Sequence, residues 1–115
     1  MHAVTVLIKK LDTVSTRDFR DWWVNHHVPY SLKLLNVDRY LILQPDDYID
    51  RATGNWSTPV PFDGIAVFYF DDADAITKAM SYPKTPEHRA EVDAWIETTV
   101  VMSGAALTGE TGSQQ

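Results

Sequence analysis

The chain has 115 residues, of which 44% are hydrophobic and 23% charged, with a formal net charge of −6 and no cysteine. This length fits one small domain, and the composition is that of a globular protein rather than a disordered chain. The negative charge disfavours nucleic-acid binding, because phosphate backbones are repelled. Without cysteine there is no disulfide, thiolate metal site or cysteine nucleophile.

The N-terminal segment resembles a short strand and lacks the charged and then apolar pattern of a secretory signal peptide. No apolar run in the chain approaches the ~20 residues that span a membrane. We therefore expect a cytoplasmic protein that has no contact with membranes.

The first predicted elements are a strand and a helix. Residues 3–9 are rich in β-branched side chains and predict a strand. Ser15, with Asp18 three residues later, is a variant of the capping box and predicts the start of a helix that runs to about His27.

The next segment contains a proline, a short strand and a long loop. Val28–Pro29 is expected to end or kink the helix, because the residue before a proline is pushed out of helical geometry. Residues 30–35 add a turn or two, and residues 37–43 predict a second strand. Residues 44–62 hold three prolines and several aspartates, which is typical of a loop, and we expect its aromatic side chains to pack on something.

The clearest strand is 64–70, which is apolar throughout and predicts burial on both faces. A second helix, capped by Asp71 or Asp72, is expected to end at Tyr82–Pro83.

Thr85–Pro86 then predicts a third helix. Its predicted inner face comprises Val92, Trp95, Ile96 and Thr99. Residues 99–107 predict a last strand that takes over from the helix near Thr98, and the polar residues 109–115 are expected to be disordered.

This order of elements predicts an α+β fold of the ferredoxin-like, split βαβ type, within a single domain of residues 1–108. Its four-stranded antiparallel sheet has helices on one face only. Since strand 64–70 is apolar on both faces, we expect the sheet of a second copy to cover the other face. Two facing sheets enclose a barrel, whose lumen or mouth could hold a small ligand.

Two adjacent histidines near the end of an aromatic helix face are the leading candidates for chemistry. Histidine both donates and accepts protons near neutral pH. At ~100° per residue, Phe19, Trp23, His26 and Tyr30 share one stripe, and His27 lies at its flank, so the helical wheel favours His26 as the inward residue. The Tyr30 hydroxyl could polarise a carbonyl oxygen.

Three blocks of sequence resemble the EthD-like family of the dimeric α+β barrel superfamily. They are Phe19-x-x-Trp22-Trp23-x-x-x-His27-x-Pro29, the pair Arg39–Tyr40, and residues 63–71 with the helix that follows. The resemblance extends over residues 3–107. It implies a ferredoxin-like fold, a homodimer and His27 as the functional histidine. Members of this superfamily include isomerases, lyases, cyclases, decarboxylases and cofactor-free oxygenases that act on lactones, polyketides or aromatic breakdown products.

The chain departs from the family pattern at two places. Val67 stands where many relatives have an acidic residue, so a mechanism that needs that carboxylate is in question. Leu35–Asn36 stands where a Pro-Gly pair is frequent.

Further candidates are aromatic residues that could contact a substrate or simply pack in the core. They are Trp23, Tyr40, Phe68 and Tyr69. His88 shares a helix face with Val92 and Trp95 and is expected to pack at an edge. No metal site is expected, because adjacent histidines on one helix cannot easily chelate one ion.

The leading functional hypothesis is an enzyme without an obligate cofactor, in which His27 or His26 moves a proton on a small oxygenated, lactone-like or aromatic-derived compound. Isomerase, lyase and decarboxylase reactions all fit this scheme. A cofactor-free monooxygenase using the same pocket, and a non-catalytic protein that binds a hydrophobic metabolite, are the alternatives.

Overall fold

The computed structural model describes residues 1–81, 84–107 and 109. The predicted helix end at Tyr82–Pro83 and the predicted disordered residues 110–115 lie outside the described residues. In chain order the elements are β1 (His2–Lys10), α1 (Thr16–Trp22), a π-helical turn (Trp23–His27), α2 (Val28–Leu35), β2 (Tyr40–Leu43), β3 (Tyr48–Ile49), β4 (Trp56–Ser57), β5 (Gly64–Phe70), α3 (Ala73–Ala79), α4 (Pro86–Trp95) and β6 (Ile96–Ala105).

Four of these strands form an antiparallel sheet in the order β2-β5-β1-β6. β1 and β5 are the central strands, and the first and last strands of the chain are neighbours, as the split βαβ plan requires. The predicted α+β, ferredoxin-like fold is therefore confirmed. None of the helices among the described residues is long and apolar enough to cross a membrane.

The helices begin where side chains cap their first N–H groups. Ser15 Oγ accepts a hydrogen bond from the Asp18 N–H, and Thr85 Oγ1 accepts one from the His88 N–H. Of the two predicted caps for α3, Asp72 is the one used. These local hydrogen bonds explain why the starts of α1 and α4 lie at the predicted residues.

Several predicted boundaries differ from the structure. β2 begins only at Tyr40, and β6 begins at Ile96, so Ile96 and Thr99 belong to a strand rather than to the inner face of α4. The loop of residues 44–62 contains a small hairpin, β3–β4. Trp56 within it is 66% exposed, so the described residues of this chain do not supply the surface on which this side chain was expected to pack.

Pro29 does not end the first helix, which continues from α1 through the π-helical turn into α2. The Val28 N–H donates to the Trp23 carbonyl, five residues earlier, instead of the usual four. Since Pro29 has no N–H to place in the regular ladder, the wider turn accommodates it without a break. One extra residue thus enters the turn between Trp23 and His27.

α2 ends at Asn36, which adopts the left-handed conformation with φ 55°. Asparagine tolerates this conformation better than most residues, so it can end the helix at a position where glycine is the commoner choice.

The core lies between the helices and one face of the sheet. Val4 and Ile8 of β1 and Ala66 and Phe68 of β5 point to this face. Trp23 is 1% exposed and packs over β5. The alternation of buried and half-buried residues along β5 shows that only this face is covered within the chain.

The opposite face of the sheet, hereafter the open face, carries a second apolar surface. Its central residues Ile65, Val67 and Tyr69 are half-buried. The flanking side chains on β2 and β6 are exposed, namely Leu41, Leu43, Val100 and Met102. An apolar surface of this kind marks an interaction site.

The close approach of Trp23 to β5 depends on a glycine. A Cβ added at Gly64 would lie 2.9 Å from two ring carbons of Trp23. We expect Gly64→Ala to lower the free energy of unfolding by about 1–3 kcal/mol, because the buried ring must shift within a packed core. Chemical denaturation followed by tryptophan fluorescence measures this change.

Gly104→Ala is the matched control, since a Cβ at that strand position meets nothing within 4 Å. Equal stability of the two variants would contradict the role assigned to Gly64.

Candidate functional site

A cavity of about 420 Å³ lies between the helices and the sheet. β1 and β5 form its apolar floor through Val4, Val6, Ile8, Ala66 and Phe68. Trp23, Val28 and Leu35 cover one side, and α4 with the start of β6 forms the other. The cavity therefore lies on the helix side of the sheet. A ligand in the lumen or mouth of a barrel made by two facing sheets stays a prediction.

His27 lines this cavity, whereas His26 is exposed and does not. The helical wheel, which favoured His26 as inward, is therefore wrong at this point. The reason is the π-helical turn: one extra residue in the turn rotates all later residues back by about 100°, so His27 takes the angular position of His26 in a regular helix.

The side chain of His27 belongs to a stack of five rings that joins the first long helix to α4. The ring centroids are 5.1 Å apart for Trp95 and Trp22, 4.9 Å for Trp22 and His27, 5.8 Å for His27 and His88, and 4.8 Å for His88 and Tyr30. The two imidazole planes are nearly parallel, at 6°. Stacking in this range orients the rings and contributes favourable packing energy.

A hydrogen bond fixes the middle of the stack. Trp22 Nε1 donates to Glu91 Oε1 over 2.9 Å, and Trp22 is 5% exposed. This bond satisfies the indole N–H and ties α1 to α4, so the face of Trp22 presented to His27 is held in place.

Burial, with a smaller contribution from the neighbouring His88, lowers the pKa of His27 from 6.5 to about 4, and Glu91 opposes the shift by favouring the charged form. At neutral pH His27 is thus an uncharged imidazole with a free acceptor nitrogen. It is a weak base in a desolvated position, and it gains basicity when negative charge is placed beside it.

Among the other predicted site residues, Trp23 and Phe68 line the cavity. Tyr30 is 40% exposed and contacts the ring of His88 rather than the cavity. Tyr40 is 49% exposed at the edge strand, and Tyr69 lies on the open face beneath the guanidinium of Arg39. The structure brings Trp23, Phe68 and His27 together and leaves Tyr40 and Tyr69 apart.

The sequence predicted that His88 packs at an edge, whereas the structure places it in the cavity lining. It is half-buried, lines the cavity and stacks on His27. The available signal was its place on the apolar face of α4, four residues before Val92, but no local pattern pairs it with a histidine sixty positions earlier.

Val67, where the resemblance led us to expect a carboxylate, points to the open face because it pairs with Thr5. A side chain there cannot reach the cavity on the other side of the sheet. The absence of an acidic residue at this position therefore does not weaken a mechanism based on His27 and His88.

Charged side chains also line the cavity at its exposed end. Lys84 and Arg89 are exposed lining residues, and Asp93 is a third. In the part of the chain that the structure describes, no three His, Asp and Glu side chains are grouped to hold a metal ion.

The lowered pKa of His27 makes stability depend on pH. The unfolded chain, with a His27 pKa of 6.5, binds a proton between pH 6.5 and about 4 that the folded protein excludes, so this contribution to stability is present above pH 6.5 and is lost as the pH falls. Between pH 7 and pH 4, we expect the free energy of unfolding to fall by about 2–3 kcal/mol more for the wild type than for His27→Gln. Urea unfolding at a series of pH values measures the difference.

His26→Gln is the control, because the His26 side chain is exposed. The free energy of unfolding of this variant should depend on pH as it does in the wild type. If the free energy of unfolding changed equally with pH in His27→Gln and in the wild type, the buried, uncharged state of His27 would be refuted.

Comparison with known proteins agrees with this geometry. The EthD domain family model matches residues 11–99, which include the helix motif and His27. An EthD family protein from Bacillus halodurans is 17% identical with a TM-score of 0.64, over 93% of this chain and 99% of that one.

Two further structures are similar in fold. SnoaB, a cofactor-independent oxygenase from Streptomyces nogalater, is 14% identical with a TM-score of 0.52, over 94% of this chain and 93% of that one. A dimeric protein of unknown function from Bacteroides fragilis is 14% identical with a TM-score of 0.53, over 90% of this chain and 93% of that one. No curated protein is significantly similar in sequence. The family match covers most of the chain, and the protein belongs to the EthD domain family.

Proposed function

We propose that the protein is an enzyme of small-molecule metabolism that moves a proton on an oxygenated organic compound bound in the cavity between helices and sheet. The observation that carries this proposal is the pair of stacked imidazoles, His27 and His88, at the wall of an otherwise apolar cavity. The proposed chemistry needs no bound cofactor, since imidazole itself accepts and donates the proton.

The low pKa of His27 restricts the proton that it can remove. A weak base takes a proton only from an acidified group, such as a C–H between a carbonyl and another electron-withdrawing group, or a phenolic O–H. Removal creates an enolate or phenolate beside the imidazolium, and this negative charge offsets the cost of charging His27. The substrate class is thus a carbonyl or phenolic compound with an activated proton.

His88 completes the reaction as the second proton carrier. Being half-buried, it can exchange protons with solvent and deliver one to a different atom of the bound anion. Return of the proton to another carbon gives an isomerase, and expulsion of a leaving group from the carbon next to the carbanion gives a lyase. In a decarboxylase the carbon dioxide itself leaves its bonding electrons behind as the enolate, which then takes a proton from an imidazolium. Tyr30 acts as a positioning residue that packs on the His88 ring.

Cofactor-independent oxygenation in the same cavity is the second candidate. The observation that favours it is the fold shared with SnoaB, together with the suitability of a neutral imidazole for ionising a phenol. An electron-rich phenolate reacts with dioxygen directly. Oxygen consumption measured beside proton exchange separates this candidate from isomerisation.

Hydrogen exchange tests the proposed base. Phenylacetone in deuterium oxide contains a methylene group acidified by its carbonyl and ring, and proton NMR follows its exchange. We expect the wild type to accelerate exchange and His27→Gln to lower the accelerated rate by about a hundredfold, as for loss of a general base. The rate per protein should fall only below about pH 4, where His27 becomes protonated.

His26→Gln is the matched control for the adjacent, exposed histidine and should keep the wild-type rate. Unchanged exchange in His27→Gln, or wild-type exchange no faster than buffer, would reject the base and favour a non-catalytic binding protein.

We further propose a homodimer in which the open faces of two copies pack together. The exposed apolar side chains Leu41, Leu43 and Met102 support this, because burying them in water-free contact is favourable. The dimeric state named for the similar Bacteroides fragilis protein supports it as well. The two cavities then lie on the outer sides of the paired sheets.

Charge placed on the open face should prevent this association. We expect Met102→Lys and Val67→Lys to be monomers at concentrations where the wild type is a dimer, because a buried ammonium without a partner is costly. Sedimentation equilibrium measures the oligomeric state of each variant. Ala90→Lys, on the exposed surface of α4, is the control and should stay dimeric; a monomeric wild type would contradict the proposal.

A further inference from the structure

We propose that the compound bound in the cavity is an amphiphilic anion, with its apolar body between helices and sheet and a carboxylate-like group at the mouth between Arg89 and Lys84. This deepens the proposed function by assigning a substrate class to the same cavity. It rests on the cavity and its charges, and not on whether His27 performs chemistry.

The interior of the cavity accepts an apolar body. Its floor is made of aliphatic and aromatic side chains of β1 and β5, and Val92, Ile96 and Val101 extend the same apolar lining on the other side. Ser31, Thr99 and the two imidazoles are further polar groups of the lining. A ligand that fills this space gains from burial in proportion to its apolar area.

The mouth of the cavity is positively charged. Arg89 and Lys84 both line it and are exposed, and neither takes part in an ion pair among residues 1–81, 84–107 and 109. The one carboxylate of the lining is Asp93, so cationic groups outnumber it. Arginine binds a carboxylate through two parallel hydrogen bonds, which makes Arg89 the principal contact and Lys84 a supporting charge.

This local charge is opposite to that of the whole chain. The protein has sixteen Asp and Glu against ten Lys and Arg, for a net charge of −6. An acidic surface repels anions, so a cationic mouth on such a surface concentrates them at one place. Two exposed cations at this cavity, which have no ion pair within the described part of the chain, therefore indicate the sign of the ligand's charge.

Binding in this orientation has a consequence for the histidines. With its anionic end at Arg89 and Lys84, the ligand has its apolar body along the floor, next to His27 and His88. Negative charge in the cavity favours the imidazolium form of His27 and so makes it a stronger base when the ligand is present. The bound ligand thus increases the basicity of His27, the group proposed to remove its proton.

Paired probes test the inference. Cinnamate and cinnamamide share one apolar body and differ in charge, and isothermal titration calorimetry gives both dissociation constants. We expect cinnamate to bind the wild type about tenfold more tightly than cinnamamide, as for a charged hydrogen-bonded contact. Arg89→Gln should remove most of this preference, and the double variant Arg89→Gln/Lys84→Gln all of it, with cinnamamide binding unchanged.

Salt gives a second measure of the same contact. Raising the ionic strength from about 0.01 M to about 1 M shortens the screening length from about 30 Å to about 3 Å, so cinnamate binding should weaken while cinnamamide binding stays constant. Arg51→Gln, at an exposed loop position, is the matched control and should retain the wild-type preference.

Equal affinity for the two probes, a preference that survives in the double variant, or no detectable binding of cinnamate would each overturn the inference. Failure of the proposed function is recognised separately. His27→Gln keeps the preference for cinnamate if the inference holds, whether or not that variant loses proton exchange.

Discussion

One extra residue in a helical turn is the constraint on which the site depends. The turn between Trp23 and His27 is wide enough to absorb Pro29, and it rotates His27 from the flank of the helix onto the stripe that faces the sheet. Trp23 above this turn stays in the core against Gly64, so the helix is fixed at the point where its geometry changes. A regular helix over the same residues would present His26 to the cavity and His27 to its edge.

The cost of burying His27 is met by the surrounding rings rather than by a charged partner. Trp22 and His88 both stack with the imidazole, and Glu91 holds the indole by accepting its N–H. A neutral imidazole between aromatic faces needs little polar compensation, whereas an imidazolium there would be poorly solvated. In the resting protein at neutral pH, the buried His27 imidazole is therefore uncharged.

The two faces of the sheet carry different functions in this scheme. On the helix side, β1 and β5 supply a smooth apolar floor for a ligand, and α4 brings His88 and the cationic mouth. On the open side, β5 presents Val67 and Tyr69 for the proposed contact with a second copy. Because successive side chains of a strand alternate between faces, one strand serves both purposes, and a substitution on one face leaves the other largely unchanged.

Much of the fold follows from local signals in the sequence. Ser15 and Thr85 start helices with their own side chains, and the continuous apolar run of β5 shows a strand with two partners. His27 is identified by its motif. The π-helical turn, the pairing of His27 with His88 and the side of the sheet that holds the cavity are decided only in the tertiary structure. Each of these depends on contacts between segments far apart in sequence, and hydrophobic periodicity describes a regular helix or strand one segment at a time.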